Sequence, residues 1–315
     1  MIRIPAAIHD ELVANYGVYF ERLSKVPART LVSGVLSEAK VHDQVALLCK
    51  ASGVSAESLR GKRVLEVGSG FGLFVAVTRI VYGMESHGLE PAGSAFDSSY
   101  RTSREIIREN GLDPEIIVNA RGEAIPFPDD HFDVLFSSTA LDHTENPERV
   151  LDESLRVLKL GGCLHFVFPN YGSFVEGHYA IPWIPYLPHW LARLWVRLWG
   201  RDPAFLETLR FTHYFRTRRW IASRQDIDLV AMGEEVFAAR MQAVALEDRG
   251  GWDAPSERSV SRAACASFRS SPGCVSARRH STRSFSRFAS GSSRRRSRVP
   301  TTSRSMMKTG RNGWT

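Results

Sequence analysis

The stretch Val64-Leu-Glu-Val-Gly-Ser-Gly-Phe-Gly72 constrains this chain more than any other. A short apolar strand, Lys62–Val67, runs directly into glycines at 68, 70 and 72, and a helix is expected to follow. Without Cβ atoms such a turn can pass close to a ligand and leave its N–H groups pointing at it. A dinucleotide fingerprint wants its third glycine where Leu73 stands, which disfavours NAD or FAD. Glu66, two residues before the first glycine, would repel a pyrophosphate and suits a cationic amine.

Around this turn the sequence alternates strand and helix. Ser86–Glu90, Glu115–Val118, Phe132–Phe136 and Cys163–Phe168 read as further strands. Helices are expected over Ala95–Glu109 and Pro147–Leu158, the second stopping at Gly161-Gly162. Strands joined by helices imply crossover connections and a mostly parallel, doubly wound α/β sheet covered on both faces. Glu90 closes the second strand 18 residues after Gly72, where a carboxylate can accept both hydroxyls of a ribose.

Four runs together resemble a class I S-adenosylmethionine-dependent methyltransferase: residues 64–72, Gly88-Leu-Glu-Pro91, Glu123-Ala-Ile-Pro-Phe-Pro-Asp-Asp-His-Phe-Asp-Val134 and Arg156-Val-Leu-Lys-Leu-Gly-Gly162. The resemblance covers residues of about 61–170 and implies a Rossmann-like, seven-stranded sheet with S-adenosyl-L-methionine at the C-terminal ends of the first strands. It implies that Gly68, Gly70 and Gly72 wrap the methionine moiety, with Glu90 on the ribose. Glu66, Ser69, Pro91, Arg121, Gly122, Glu123 and Ser138 are expected as further cofactor-binding residues. One departure stands out. Many relatives carry Gly-Asp-Ala where this chain has Ala120-Arg121-Gly122. Arg121 cannot accept a hydrogen bond from adenine, although its plane can stack on the ring.

Methyl transfer is an in-line displacement, and a hydroxyl or carbon-acid acceptor must also lose a proton. Bases are available after the fourth strand in Ser137-Ser-Thr-Ala-Leu-Asp-His143. His143 titrates in the useful range; the competing reading is that Asp142 and His143 cap the next helix. No Asn-Pro-Pro-Tyr follows this strand, which disfavours amino-group methylation of adenine in DNA. No metal is expected.

Residues 169–220 form an insertion after the fifth strand. Three prolines lie among aromatics in His178–Pro188, and four of the seven tryptophans fall between 183 and 199. Trp190, Leu191, Leu194, Trp195, Leu198 and Trp199 share one helical face, opposite Arg193 and Arg197. This predicts a lid over a substrate pocket, with Glu176, His178 and Tyr179 lining it and His178 as a second catalytic candidate. A core-facing helix and a peripheral membrane contact through 183–199 are the alternatives.

The whole chain carries +7, but residues 255–315 hold 13 Arg, one Lys and one acid, so residues 1–254 carry −6. Whole-chain basicity therefore does not argue for specific nucleic-acid binding. The last segment has 16 Ser in 61 positions and neither Leu nor Ile, a composition that predicts disorder. The abrupt change near Trp252–Arg258 reads as a shift of reading frame, leaving the sheet without its seventh strand.

Ile8, Leu12, Val13, Tyr16, Tyr19, Phe20 and Leu23 recur at helical spacing, and a second amphipathic stretch runs from about Leu31 to Cys49. The expected organisation is N-terminal helices at 1–60 capping cofactor or substrate, a cofactor-binding core at 61–170 and the insertion at 171–222. The remaining sheet elements fall at 223–254 and the tail at 255–315. Charges near the N-terminus argue against a signal peptide, no spanning helix is expected, and the cysteine usage fits a reducing cytoplasm. The functional expectation is methyl transfer from S-adenosyl-L-methionine to a small or lipid-like acceptor. The alternatives are a catalytically silent cofactor binder, or a membrane-surface or nucleic-acid adaptor using the basic tail.

Overall fold

The computed structural model describes residues 1–93, 97–231 and 273–280. Five parallel strands carry the alternating pattern: β1 (Arg63–Val67), β2 (Glu85–Leu89), β3 (Ile117–Val118), β4 (Phe132–Ser138) and β5 (Leu158–Phe168). A two-stranded hairpin follows, β6 (Val175–Glu176) and β7 (Ile181–Pro182), and then β8 (Ile227–Ala231) and β9 (Gly273–Arg279). The main sheet has seven strands in the order β3-β2-β1-β4-β5-β9-β8, with β9 antiparallel to both neighbours. The order reverses between β1 and β4, which opens a crevice at their C-terminal ends.

Strand alternation assigns the two faces. Val64, Val134 and Phe136 pack with helices α4 (Glu38–Ser52), α5 (Leu73–Ile80) and α6 (Asp97–Glu109). Leu65, Leu135 and Leu164 pack on the other face with α7 (Pro147–Val157) and Ile221 of α9 (Tyr214–Ala222). A third cluster lies under the insertion and joins Phe20 and Leu23 to Tyr179, Trp183, Phe205 and Leu206. The N-terminal segment winds through α1 (Ala6–Leu12), a π-helical turn at Val13–Gly17, α2 (Val18–Ser24) and α3 (Ala28–Val35). Gly17 lies where a Cβ would sit 2.9 Å from Ala28, so α2 and α3 meet closely at its start.

The structure corrects four expectations. The amphipathic run from Leu31 to Cys49 is two helices, because Ser37 caps α4 by accepting from the Lys40 amide. The third strand is shorter than expected, since Pro114–Ile116 forms a 3-10 turn capped by Asp113. Helix α7 ends at Val157 rather than at the glycines, and β5 begins at once; Leu158 pairs with Phe132, and the register shifts before Cys163 meets Val134.

The fourth correction concerns the seventh strand, which residues 273–279 supply. A strand hydrogen-bonded on both edges needs few apolar side chains of its own. Ala277 is buried, while the long side chains beside it reach out: Arg278 donates to the Ser52 carbonyl, and Arg279 to the Leu158 carbonyl and Asp130. The rest of the expected disordered tail, 255–272 and 281–315, lies outside the described residues. Among the described residues no helix is long and apolar enough to cross a membrane.

Candidate active site

The turn after β1 is set by its glycines. Gly68, Gly70 and Gly72 all have positive φ, 76°, 52° and 74°. At Gly68 a Cβ would lie 2.2 Å from the Ala140 Cβ, so the loop leaving β4 rests directly on the turn. Gly70 has open space on its Cβ side and donates its N–H to Glu90 Oε2 at 2.8 Å. Gly72 is the N-cap residue of α5. It shapes the turn and starts the helix.

A cavity of about 570 Å³ opens at the crevice. Glu66, Gly68, Ser69, Gly70, Glu90, Pro91, Arg121, Gly122, Glu123 and Ser138 all line it, as do His143 and His178. Among the residues the sequence singles out by the family resemblance, Gly72 alone stays behind the wall. The N-terminal helices add Tyr16, Phe20, Leu31, Val35 and Lys40 to the cavity wall. Sequence reading gave Tyr16, Phe20 and Leu31 only as apolar positions of helices and named none of the five as lining a site.

Two buried carboxyls stand beside the glycine turn. Burial pushes the Glu66 carboxyl well above the ordinary range, Glu90 adds to this and Lys40 opposes it. Burial raises Glu90 to about 7, with the Gly70 amide holding it down. Glu66 Oε2 and Ser69 Oγ are buried and make no hydrogen bond among the described residues. Such atoms, together with the open side of Gly70, fit a ligand carrying an ammonium and vicinal hydroxyls. S-adenosyl-L-methionine has both.

Arg121 and Glu123 sit at the rim. Arg121 is exposed and paired with Glu145. Glu123 Oε1 accepts from the Glu145 and Asn146 amides at 2.8 and 3.2 Å, holding the approach to α7. The cap of α7 itself is Asn146, whose side chain accepts from the Arg149 amide, with Pro147 opening the helix. This frees Asp142 and His143 from the capping role; they occupy a separate 3-10 turn, Leu141–His143.

That turn meets the hairpin β6–β7. Asp142, Glu176 and Tyr179 are buried, and His178 nearly so. His178 Nδ1 lies 2.8 Å from Glu176 Oε1, and Glu176 Oε2 accepts from the Tyr179 amide at 2.7 Å. Asp142 Oδ2 is 3.7 Å from His178 Nε2 and 3.9 Å from His143 Nε2. Burial works against charge on His178, but Glu176 and Asp142 outweigh it and its pKa is raised. Burial lowers the pKa of His143, the neighbouring His178 lowers it further, and Asp142 opposes the shift. Asp142, His143 and His178 are close enough to share a cation, and a proton on His178 is one. Charge is thus disfavoured on His143 and favoured on its neighbour His178.

The expected lid is corrected in part. Gly177, His178, Ala180 and Thr208 line the cavity, but Glu176 and Tyr179 lie behind it, and helix α8 (His189–Leu198) contributes nothing to its wall. Sequence reading placed Glu176 in the pocket wall and Asp142 either in the loop of candidate bases or in a helix cap; the spacing Glu176-x-His178 was the one local signal that joins this histidine to its carboxyl.

Residues 65–166 match a family model described as Methyltransferase domain. The ubiquinone/menaquinone biosynthesis C-methyltransferase UbiE of Vibrio campbellii is 34% identical over 105 residues, 33% of this chain and 40% of that protein. Its counterpart from Shewanella pealeana is 33% identical over 111 residues, 35% and 43% of the two chains. The matched stretch thus spans about two-fifths of the length of these curated relatives. Geranyl diphosphate C-methyltransferase from Streptomyces coelicolor A3(2) overlays with a TM-score of 0.46 at 14% identity, over 76% of this chain and 79% of that one. That likeness is too loose to speak for function. The stretch from β1 to β5, with the glycine turn and the acid that closes β2, thus matches a methyltransferase domain and is similar over that stretch to UbiE C-methyltransferases.

Proposed function

We propose that this protein transfers a methyl group from S-adenosyl-L-methionine to a small, largely apolar acceptor whose O–H or C–H proton is removed by His143. The observation that carries the proposal is the His143 imidazole, its pKa lowered by burial, in the wall of the same cavity as the glycine turn and Glu90. The curated relatives are named C-methyltransferases of quinone biosynthesis, which favours a carbon acid or an electron-rich ring as acceptor.

S-adenosyl-L-methionine supplies a methyl group on a sulfonium and leaves as a neutral thioether. Gly70 and Glu90 would hold the ribose side, and Glu66 the ammonium, whose positive charge favours the ionised carboxyl against the burial that raises its pKa. Tyr16, Phe20 and Leu31 exclude water from the acceptor. His143 takes the proton as the acceptor attacks. Asp142, 3.9 Å away, stabilises the imidazolium that forms. His178 is a positioning residue, anchored by Glu176. A proton held there keeps His143 from accepting one too early.

The test is methyl-group transfer from labelled S-adenosyl-L-methionine to a panel of apolar phenols and carbon acids. Parent protein should label at least one acceptor, and His143→Ala should lose turnover while keeping cofactor affinity. Labelling that survives His143→Ala unchanged would remove the base from the reading.

A further inference from the structure

Helix α8 buries its small residues and exposes its large ones. Ala192 and Val196 are fully buried in the cluster under the insertion, and the Trp195 indole donates to the Pro182 carbonyl at 2.8 Å. Trp190, Leu194 and Leu198, one every four residues, are 64, 53 and 76% exposed. Sequence reading placed these with Leu191, Trp195 and Trp199 on one helical face, read as a lid with a core-facing helix and a membrane contact as alternatives. In the structure Leu191 and Trp195 are half-buried, and the stripe 190-194-198 faces water. Ile184, Tyr186 and Trp199 continue the exposed apolar surface, and Phe215 of α9 lies 6.0 Å from the Tyr186 ring.

Charge is distributed to match. Residues 183–222 hold seven Arg and two acids, +5, while residues 1–182 hold 17 basic and 24 acidic residues, −7. Arg197, Arg218 and Arg219 are exposed and make no ion pair among the described residues; Arg193 pairs with Glu207. Exposed Trp and Leu bordered by unpaired Arg suit the boundary of an anionic bilayer. A second copy docked through a twofold would oppose these arginines to themselves. The helix has ten residues, too few to span.

We infer that the face formed by Trp190, Leu194, Leu198 and Arg197 docks on the surface of an anionic lipid bilayer. The hairpin whose His178 lines the cavity leads through residues 183–188 into this helix, so docking would set the cavity beside the membrane. An acceptor dissolved in lipid would then have a short path, a consequence that rests on the proposed function, whereas the docking itself does not.

The experiment is co-sedimentation of the full chain with vesicles of phosphatidylcholine, with and without phosphatidylglycerol, at low and high salt. Binding is expected with phosphatidylglycerol, weakened by salt and accompanied by a blue shift of tryptophan emission. Trp190→Ala/Leu194→Ala/Leu198→Ala should lower partitioning by at least about tenfold, with cofactor affinity unchanged as evidence of folding. A chain ended at His280 should bind like the parent. Undiminished binding by the triple variant would overturn the inference. So would loss of binding on removing 281–315, which would assign it to the basic tail. Concentration-dependent dimerisation abolished by the triple variant, without vesicle binding, would assign the face to a second copy. Cofactor binding without vesicle binding would refute the docking and leave the proposed function standing.

Discussion

The two walls of the cavity are built from different materials. On the wall made by β1 and β2, a turn whose glycines all have positive φ binds its amides to Leu89, Ser69 and Glu90, and Glu66 and Glu90 line the cavity beside it. On the wall made by the β4 loop and the β6–β7 hairpin, imidazoles line the cavity, held by carboxyls that do not reach it themselves. A backbone wall is fixed by chain path and tolerates little change of residue. A side-chain wall is fixed by buried charge and can be retuned without moving the chain. The first suits a cofactor of fixed shape, and the second suits proton transfer at an acceptor.

If this division holds, substitutions on the two walls separate cleanly. His143→Ala should lower turnover by about 10²–10⁴-fold, the usual worth of a positioned base, with cofactor affinity within about twofold of the parent. Parent turnover should fall on the acid side at a pH below 6.5, because burial lowers the His143 pKa and the neutral imidazole is the active form. Steady-state kinetics over pH checks both, and an acid limb retained in His143→Ala would break the assignment.

Gly68→Ala should act on the backbone wall and on stability. Positive φ and a Cβ placed 2.2 Å from Ala140 Cβ should together cost about 2–4 kcal/mol. Urea denaturation measures this loss. Ala140→Gly in the same chain should restore the part due to the clash and leave the part due to φ.

Glu90→Ala should weaken cofactor binding by about 1.5–3 kcal/mol, the scale of hydrogen bonds to a charged group. The acid limb of turnover at saturating cofactor should stay where it is. Calorimetry gives the first quantity, and unchanged affinity would move the ribose elsewhere.

The smallest effect is a pH dependence of stability. The His178 pKa is raised in the folded protein, so its contribution is fully present below pH 6.5 and is lost as pH rises through the folded value. Chemical denaturation should show this decline in the parent and a flatter profile in His178→Asn. The same profile in both would detach His178 from the buried carboxyls.

The backbone wall was legible in the sequence because glycine spacing and the acid closing β2 are local signals. Val64–Gly72 and Glu90 lie where expected, and the turn needs no distant partner to be recognised. The side-chain wall was legible only in part. His143 and His178 stand 35 residues apart, and their rings meet at 5.4 Å only after β5 and the hairpin bring the chain back. Asp142 resembled a helix cap until Asn146 was seen to fill that place. Burial of a carboxyl is a tertiary property with no local pattern. The same holds for β9, where pairing with β5 and β8 overrides a composition that reads as disordered. On α8 the helical period was evident, but its direction depended on which residues fitted the cluster beneath; small Ala192 and Val196 pack there, and the large residues turn outward.

The central claim, that the β1–β2 wall holds S-adenosyl-L-methionine through buried acids which ionise on binding, has a direct test. Titration calorimetry of the full chain at pH 6.5, in two buffers of different ionisation enthalpy, counts the protons exchanged. Burial raises Glu90 to about 7, so at this pH much of it holds a proton that the ligand's hydroxyls should expel, and burial raises Glu66 in the same direction. The account predicts saturable binding with net proton release, reduced in Glu90→Gln and vanishing as the pH is raised well above 7 for the share due to Glu90. Binding with no proton exchange at pH 6.5, or with net uptake, would contradict it.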